Sequence, residues 1–199
     1  MAALIILSGF YFLRCTNPFT TRDAEKPGQD FTNSQSLTMQ LEPDSLIKKM
    51  ETAFLLREKT YYTELFTTNT IAGQQRFTFI PQENNNTGYF DQWDLTDEQK
   101  YFSDIVDNPG LVSLSLNLSP NPAESGWVQI NDESADSLRG SFYYTITVNI
   151  TNEVRRYSGE ARFKIIKDQY YTIYHWQDLA VTNYDSTWST LKRNPLSDE

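Results

Sequence analysis

The sequence predicts an α+β domain, and three observations carry that prediction. Apolar residues recur at helical spacing over 44–66 and again from 96 to about 107. After Gly110 the period changes to two and holds through several segments. Helices grouped ahead of a run of strands specify α+β, since α/β folds alternate the two. The stretch from residue 44 onward, 44–199, has the size of one domain and no internal repeat.

The first helix is predicted over 44–66. Pro43, Asp44 and Ser45 supply its start. Ile47, Met50, Phe54, Tyr61 and Leu65 then line one face, with Arg57, Glu58 and Lys59 turned outward. A short strand follows over 76–81 (RFTFIP), then an Asn-rich loop over 84–88. Thr96-Asp97-Glu98-Gln99 reads as a capping box that opens a second helix. Phe102, Ile105 and Val106 are its apolar side, and Asn108-Pro109-Gly110 stops it.

The strands come next. Val112, Leu114, Leu116 and Leu118 alternate with Ser113, Ser115 and Asn117. A short strand surrounds Trp127-Val128-Gln129-Ile130. Phe142, Tyr144, Ile146, Val148 and Ile150 alternate with Tyr143, Thr145, Thr147 and Asn149, and Ala161, Phe163 and Ile165 with Arg162 and Lys164. The last strand, 170–178 (YYTIYHWQD), is aromatic on both faces. Such alternation predicts an antiparallel sheet with one covered face and one wetter face.

Two segments of different composition precede the domain. Residues 2–13 are apolar or small. That run falls short of the roughly 20 residues a spanning helix needs and lies within the roughly 7–15 of a secretory h-region. Cys15, the only cysteine, follows it directly. A single thiol makes no internal disulfide, and without a nearby Cys or His it has no metal-ligand spacing. Residues 16–43 are rich in Thr, Asn, Gln, Ser and Pro. Such a composition cannot bury enough area to offset ordering entropy, so they read as a flexible polar linker with an r.m.s. span of about 30 Å. The organisation predicted is thus 1–15 signal or lipid anchor, 16–43 linker, and 44–199 domain.

Charge and composition exclude several classes. The formal net charge is −9, with 26 acidic and 17 basic residues. No cluster of Lys and Arg suits a phosphate backbone, so nucleic acid is not an expected partner. The 12 Tyr, 12 Phe and 4 Trp predict an aromatic core and exclude disorder of the whole chain.

A lone Cys after a short apolar run resembles the lipid acceptor of a bacterial lipoprotein signal. The layout carries that resemblance, because Phe12-Leu13-Arg14 stand where a strict lipobox has Leu and small residues. Over 44–192, the order of helix, short strand, helix and long strands resembles the nuclear transport factor 2-like (cystatin-like) superfold. The polar Pro-containing segment after Cys15, the strand with Ile173, Trp176 and Asp178, and the tail Trp188-Ser189-Thr190-Leu191-Lys192 resemble uncharacterised bacterial envelope lipoproteins of that fold. The resemblance implies a strongly curved antiparallel sheet wrapping the N-terminal helix. It also implies a periplasm-facing place in the bacterial cell envelope, anchored to the membrane through Cys15. The function expected is a non-enzymatic binding or interaction module whose partner is an apolar small molecule or an envelope protein. The alternatives are a small pocket enzyme of the isomerase or dehydratase type and a structural component of an envelope complex.

Candidate chemistry is sparse. Ser45-Leu46-Ile47-Lys48 has the S-x-x-K spacing of serine acyl-enzymes, but serine at a helix start reads more simply as a cap. His175 is the only histidine, hence the only imidazole base the chain can offer. Asp178, three residues on along a strand, falls on the opposite face, so the two cannot pair. Asp91 and Asp94 flank Trp93 ahead of the second helix as an acid pair, and Tyr62, Tyr101 and Tyr144 are candidate phenols. Isomerases of this superfold use such a carboxylate and phenol. Phe54, Tyr62, Phe66, Phe102, Trp127, Tyr144, Phe163 and Trp176 could converge as an aromatic pocket lining or simply fill the core. No cofactor or metal is expected.

If Cys15 carries the anchor, intact mass of membrane-fraction protein will include lipid, and Cys15→Ser will move the protein to the soluble fraction. Unmodified wild-type protein in the cytoplasm would refute the placement.

Overall fold

A computed structural model describes residues 40–68, 76–82, 88–124, 126–130, 137–182 and 186–196, all within one compact unit, Asn33–Glu199. Cys15, the apolar run and the linker as far as residue 39 lie outside the described residues, as do loop residues 84–87. No described helix is long and apolar enough to cross a membrane. At the linker's far end, Gln40 is already buried. It accepts from Tyr171 N–H through its backbone (2.8 Å) and donates to the Tyr171 carbonyl through its side chain (2.8 Å).

Helix α1 (Pro43–Leu56) opens with its proline at the first turn, where the missing N–H costs nothing. It buries Leu46, Ile47, Lys49, Met50, Ala53 and Phe54. The predicted continuous helix to residue 66 does not form. Arg57 adopts φ 57°, ψ 39°, and the N–H groups of Arg57 and Glu58 return to the carbonyls of Phe54 and Ala53. Helix α2 (Lys59–Thr63) then restarts, with the Glu58 carboxylate accepting from Thr60 N–H. The break turns the second helix so that Tyr62, rather than Tyr61 as periodicity suggested, is fully buried. A left-handed non-glycine costs roughly 1–2 kcal/mol, so tertiary packing overrides local preference here.

Strand β1 (Thr78–Ile80) is followed by α3 (Leu95–Val106). The capping box of α3 exists, but Asp94 supplies it in place of Thr96. The Asp94 carboxylate accepts from Thr96 N–H (2.7 Å) and Asp97 N–H (3.2 Å), and Asp97 accepts from Asp94 N–H (3.0 Å). A charged oxygen at a helix N-terminus is favoured over a hydroxyl because it also meets the helix dipole.

The remaining strands are β2 (Leu111–Pro120), β3 (Val128–Gln129), β4 (Ser137–Ile150), β5 (Glu153–Lys167) and β6 (Tyr171–Leu179), before a last helix, α4 (Trp188–Arg193). They form a six-stranded curved sheet in the order β1-β6-β5-β4-β2, with β3 on β4. Pairing is antiparallel as expected except for β1 with β6, which is parallel and sets Phe79 beside Trp176. A register shift between Leu111 and Ser113 displaces the predicted alternation at the start of β2. Leu111 faces inward there and Val112 is 60% exposed, contrary to expectation, whereas Leu114, Leu116 and Leu118 face inward as the period requires. Phe142, Tyr144, Ile146 and Val148 on β4 and Ala161, Phe163 and Ile165 on β5 complete the inner face.

Gly159 marks the closest approach across this face. A Cβ there would lie 2.5 Å from the Leu179 carbonyl oxygen and 2.6 Å from Tyr144 Oη. Backbone cannot yield as a flexible side chain does, so Gly159→Ala should cost about 1–3 kcal/mol. A urea midpoint unchanged from wild type would contradict this packing.

Candidate functional site: the interior under the last helix

Helix α4 lays Trp188, Ser189, Leu191 and Lys192 inside the domain. Its spacing explains this, because positions 188, 191 and 192 share one helical face. Lys192 meets Glu98 of α3 at 2.5 Å, and both side chains are 0% exposed. Glu98 lies on the same face of α3 as Phe102 and Ile105. Its Oε1 accepts from Tyr62 Oη (2.5 Å) and its Oε2 from Trp93 Nε1 (2.7 Å) as well as Lys192 Nζ. The Lys192 nitrogen also sits 3.6 Å from the ring centroid of Trp176 and 3.7 Å from that of Phe79, with Tyr101 and Trp93 farther out.

A second buried carboxylate, Asp178 of β6, holds the start of α4. It accepts from Tyr144 Oη (2.6 Å), Ser189 N–H (2.7 Å) and Ser189 Oγ (2.5 Å). Tyr144 Oη in turn accepts from Trp188 N–H (2.7 Å), and Tyr101 Oη accepts from Trp188 Nε1 (2.9 Å). Ser189 Oγ accepts from Gln82 N–H (3.0 Å). Three elements, α3, β4 and β6, are thereby tied to α4 through two carboxylates and two phenols, and the Gln82 backbone joins them through Ser189.

All eight aromatic candidates join one ring cluster. Tyr62 touches Phe54, Phe66 and Phe102, and stacks on Phe102 at 4.0 Å. Phe163 and Phe66 reach Trp176, and Tyr144 and Phe54 reach Trp188, which meets Trp176 edge-on at 4.4 Å. Trp127 is the peripheral member. Its ring is tilted against Phe142 at 5.2 Å, and its Nε1 donates to Asp44 (3.0 Å). Trp188 stands at the centre of the cluster, in contact with Phe54, Tyr144 and Trp176.

The other candidates lie elsewhere. Asp91 is exposed and Asp94 caps α3, so the structure does not bring them together as a buried acid pair. His175 is on the outer face, its Nδ1 2.9 Å from Thr78 Oγ1, and Asp178 is inside, as period-two geometry requires. Lys48 is exposed and Ser45 half-buried on the first turns of α1, so the pair is not a buried Ser–Lys dyad. Sequence reasoning missed Glu98 and Lys192 as site residues. The signal existed in their helical spacing to Phe102 and to Trp188, but charge argued for the surface. Among the described residues, no group of three or more His, Cys, Asp or Glu could hold a metal ion.

On the outer face, Arg139 of β4, Lys164 of β5 and His175 of β6 are direct cross-strand neighbours. Arg162 and Gln177 form the adjacent pair. With Glu124 they line a cleft of about 200 Å³. Arg162 is held by Glu160 at 2.6 Å.

No family model and no curated protein matches the chain by sequence. Solved structures do match. An NTF2-like superfamily protein of Salmonella enterica superposes with a TM-score of 0.53 at 11% identity, over 77% of this chain and 96% of that one. A candidate aromatic ring hydroxylase of Novosphingobium aromaticivorans gives 0.52 at 9% identity, over 75% and 91%. A candidate scytalone dehydratase of the same species gives 0.52 at 9%, over 68% and 79%. The chain therefore has the nuclear transport factor 2-like fold, as its element order predicted.

Burial, reinforced by the Glu98 or Asp178 charge, raises the phenols of Tyr62, Tyr101 and Tyr144 well above 10. Burial lowers the Lys192 ammonium to about 8 against the pull of Glu98. An unfolded chain sheds phenolic protons near pH 10. The tyrosine contribution is therefore fully present below pH 10 and is lost as pH climbs toward the raised folded values. Lys192 acts oppositely. Its folded value lies below the unfolded 10.5, so its penalty on folding applies below pH 8 and fades by about 10.5. Urea midpoints should hold or rise from about pH 8 to 10 and fall above 10. Tyrosinate absorbance of the native protein should leave three phenols silent until unfolding, and their early ionisation would contradict this burial.

Proposed function

We propose that this domain is a non-enzymatic binding module, tethered in the bacterial envelope through Cys15, that docks an acidic partner on the outer face of its sheet. The filled interior supports this reading most. Where a conical domain holds a small molecule, this chain places its own Trp188, Leu191 and Lys192. Glu98 and Asp178 each accept three hydrogen bonds and are sealed from solvent, so neither is poised to take a proton from a substrate. An isomerase or dehydratase would need α4 to leave first. An apolar small-molecule ligand meets the same obstacle.

The partner's chemistry follows from the row Arg139–Lys164–His175. Arg139 and Lys164 lie directly opposite across β4 and β5, with His175 next in the row, so an anion laid along it meets basic groups on three strands. Two strand spacings give a row about 10 Å long, the reach of an acidic peptide segment rather than a single ion. The row is basic although the chain carries a net charge of −9, which orients an acidic partner toward this face. A structural role in an envelope complex would use the same surface.

Poly-L-glutamate serves as the probe, with affinity measured against ionic strength. Wild type should bind with a steep salt dependence, and Arg139→Glu/Lys164→Glu should weaken binding at least about tenfold. Equal binding by both proteins would remove the outer face from the proposal.

A further inference from the structure

The surroundings of Lys192 go beyond what docking on the outer face requires. An ammonium group has three N–H donors. The contact to Glu98 Oε2 engages one. The nitrogen otherwise faces aromatic rings, with centroids at 3.6 Å (Trp176), 3.7 Å (Phe79), 5.5 Å (Tyr101) and 5.7 Å (Trp93). All four fall inside the roughly 6 Å over which a ring quadrupole attracts a cation. A carboxylate with several ring faces around one cation is how proteins select an ammonium ligand over a neutral group of the same shape. If the position needed only filling, an apolar side chain would serve without the cost of burying two charges.

The element that delivers the lysine has the character of a bound peptide. Helix α4 is six residues long, too short to be stable alone in water. It is held through the hydrogen bonds of Trp188 and Ser189 to Tyr144, Tyr101 and Asp178. Trp188 and Leu191 fill apolar space, and Lys192 places its charge at the deepest polar point.

We propose that this enclosure is an ammonium-binding site whose resident ligand is the chain's own Lys192, and that it accepts a primary alkylammonium ion from solution once that side chain is absent. The site is internal and independent of the outer cationic row, so its test leaves the docking proposal untouched.

Lys192→Ala in the full chain removes three carbons and the nitrogen. The n-propylammonium ion supplies the same atoms, and 1-propanol is its neutral counterpart. Propylammonium should raise the melting temperature of Lys192→Ala and bind it about tenfold more tightly than 1-propanol, while wild type, already occupied, shows neither effect. Equal action of the two additives, or no action of either on a folded variant, overturns the proposal. Should Lys192→Ala fail to fold, Glu98→Gln/Lys192→Met carries the test. That double variant keeps the volume and leaves no unpaired charge. A cation-selective cage requires it to melt below wild type, and a melting temperature equal to or above wild type overturns the proposal.

Discussion

The fold depends on a buried carboxylate. Glu98 is where α2, the turn before α3, α3 itself and α4 meet, through Tyr62, Trp93 and Lys192. Removing a carboxylate from water costs several kcal/mol, so such a group persists only when its lone pairs are satisfied. Here three donors converge on two oxygens, and one of them brings the compensating charge. The dependence is mutual. Without Lys192 the carboxylate would be buried unpaired, a loss of about 3–5 kcal/mol, and without Glu98 nothing offsets burial of the ammonium. Asp178 repeats the device one layer away with neutral donors only.

These two carboxylates explain why the interior is closed. A curved sheet wrapped round a helix leaves a concavity that something must occupy. In this chain the occupant is covalent. The aromatic content supplies the volume, each ring burying about 150–250 Å², and α4 supplies the central member, Trp188. The helix could not be held there by apolar contact alone, because its first N–H groups need acceptors. Tyr144 accepts from Trp188 N–H and Asp178 from Ser189 N–H. One phenol and one acid are thereby engaged as caps of α4, and Tyr101 holds the Trp188 indole.

How much of this was legible in the sequence depended on whether the signal was periodic. The switch from period 3.6 to period two placed both helices and the long strands, and with them the fold. It also placed His175 and Asp178 on opposite faces. Local departures from regularity carried no comparable signal. The break at Arg57 occurs without a glycine or proline to mark it, and the register shift at Leu111–Ser113 turns out Val112, which the alternation had placed inside. Glu98 and Lys192 were hidden for a different reason. Their spacing assigned them to apolar faces and their charge assigned them to solvent. Only the presence of each within reach of the other resolves that conflict, and pairing between residues 94 apart is not a local property.

Strand β6 links the outer face of the sheet to the buried network beneath it. Along it His175 points out, Trp176 in, Gln177 out and Asp178 in, so the outer cationic row and the inner polar network share four consecutive residues. A slip of one residue would put Asp178 on the outer face and His175 into the aromatic core. Both sites thus hold the same register, one through Asp178 and Ser189, the other through pairing of β6 with β1 and β5. A strand fixed on both sides is a stiff element. The packing of Trp176 and the hydrogen bonds of Asp178, the contacts that seat α4, therefore also hold the outer residues of β6 in place. The closed interior thus stiffens the sheet from one side while strand pairing holds it from the other.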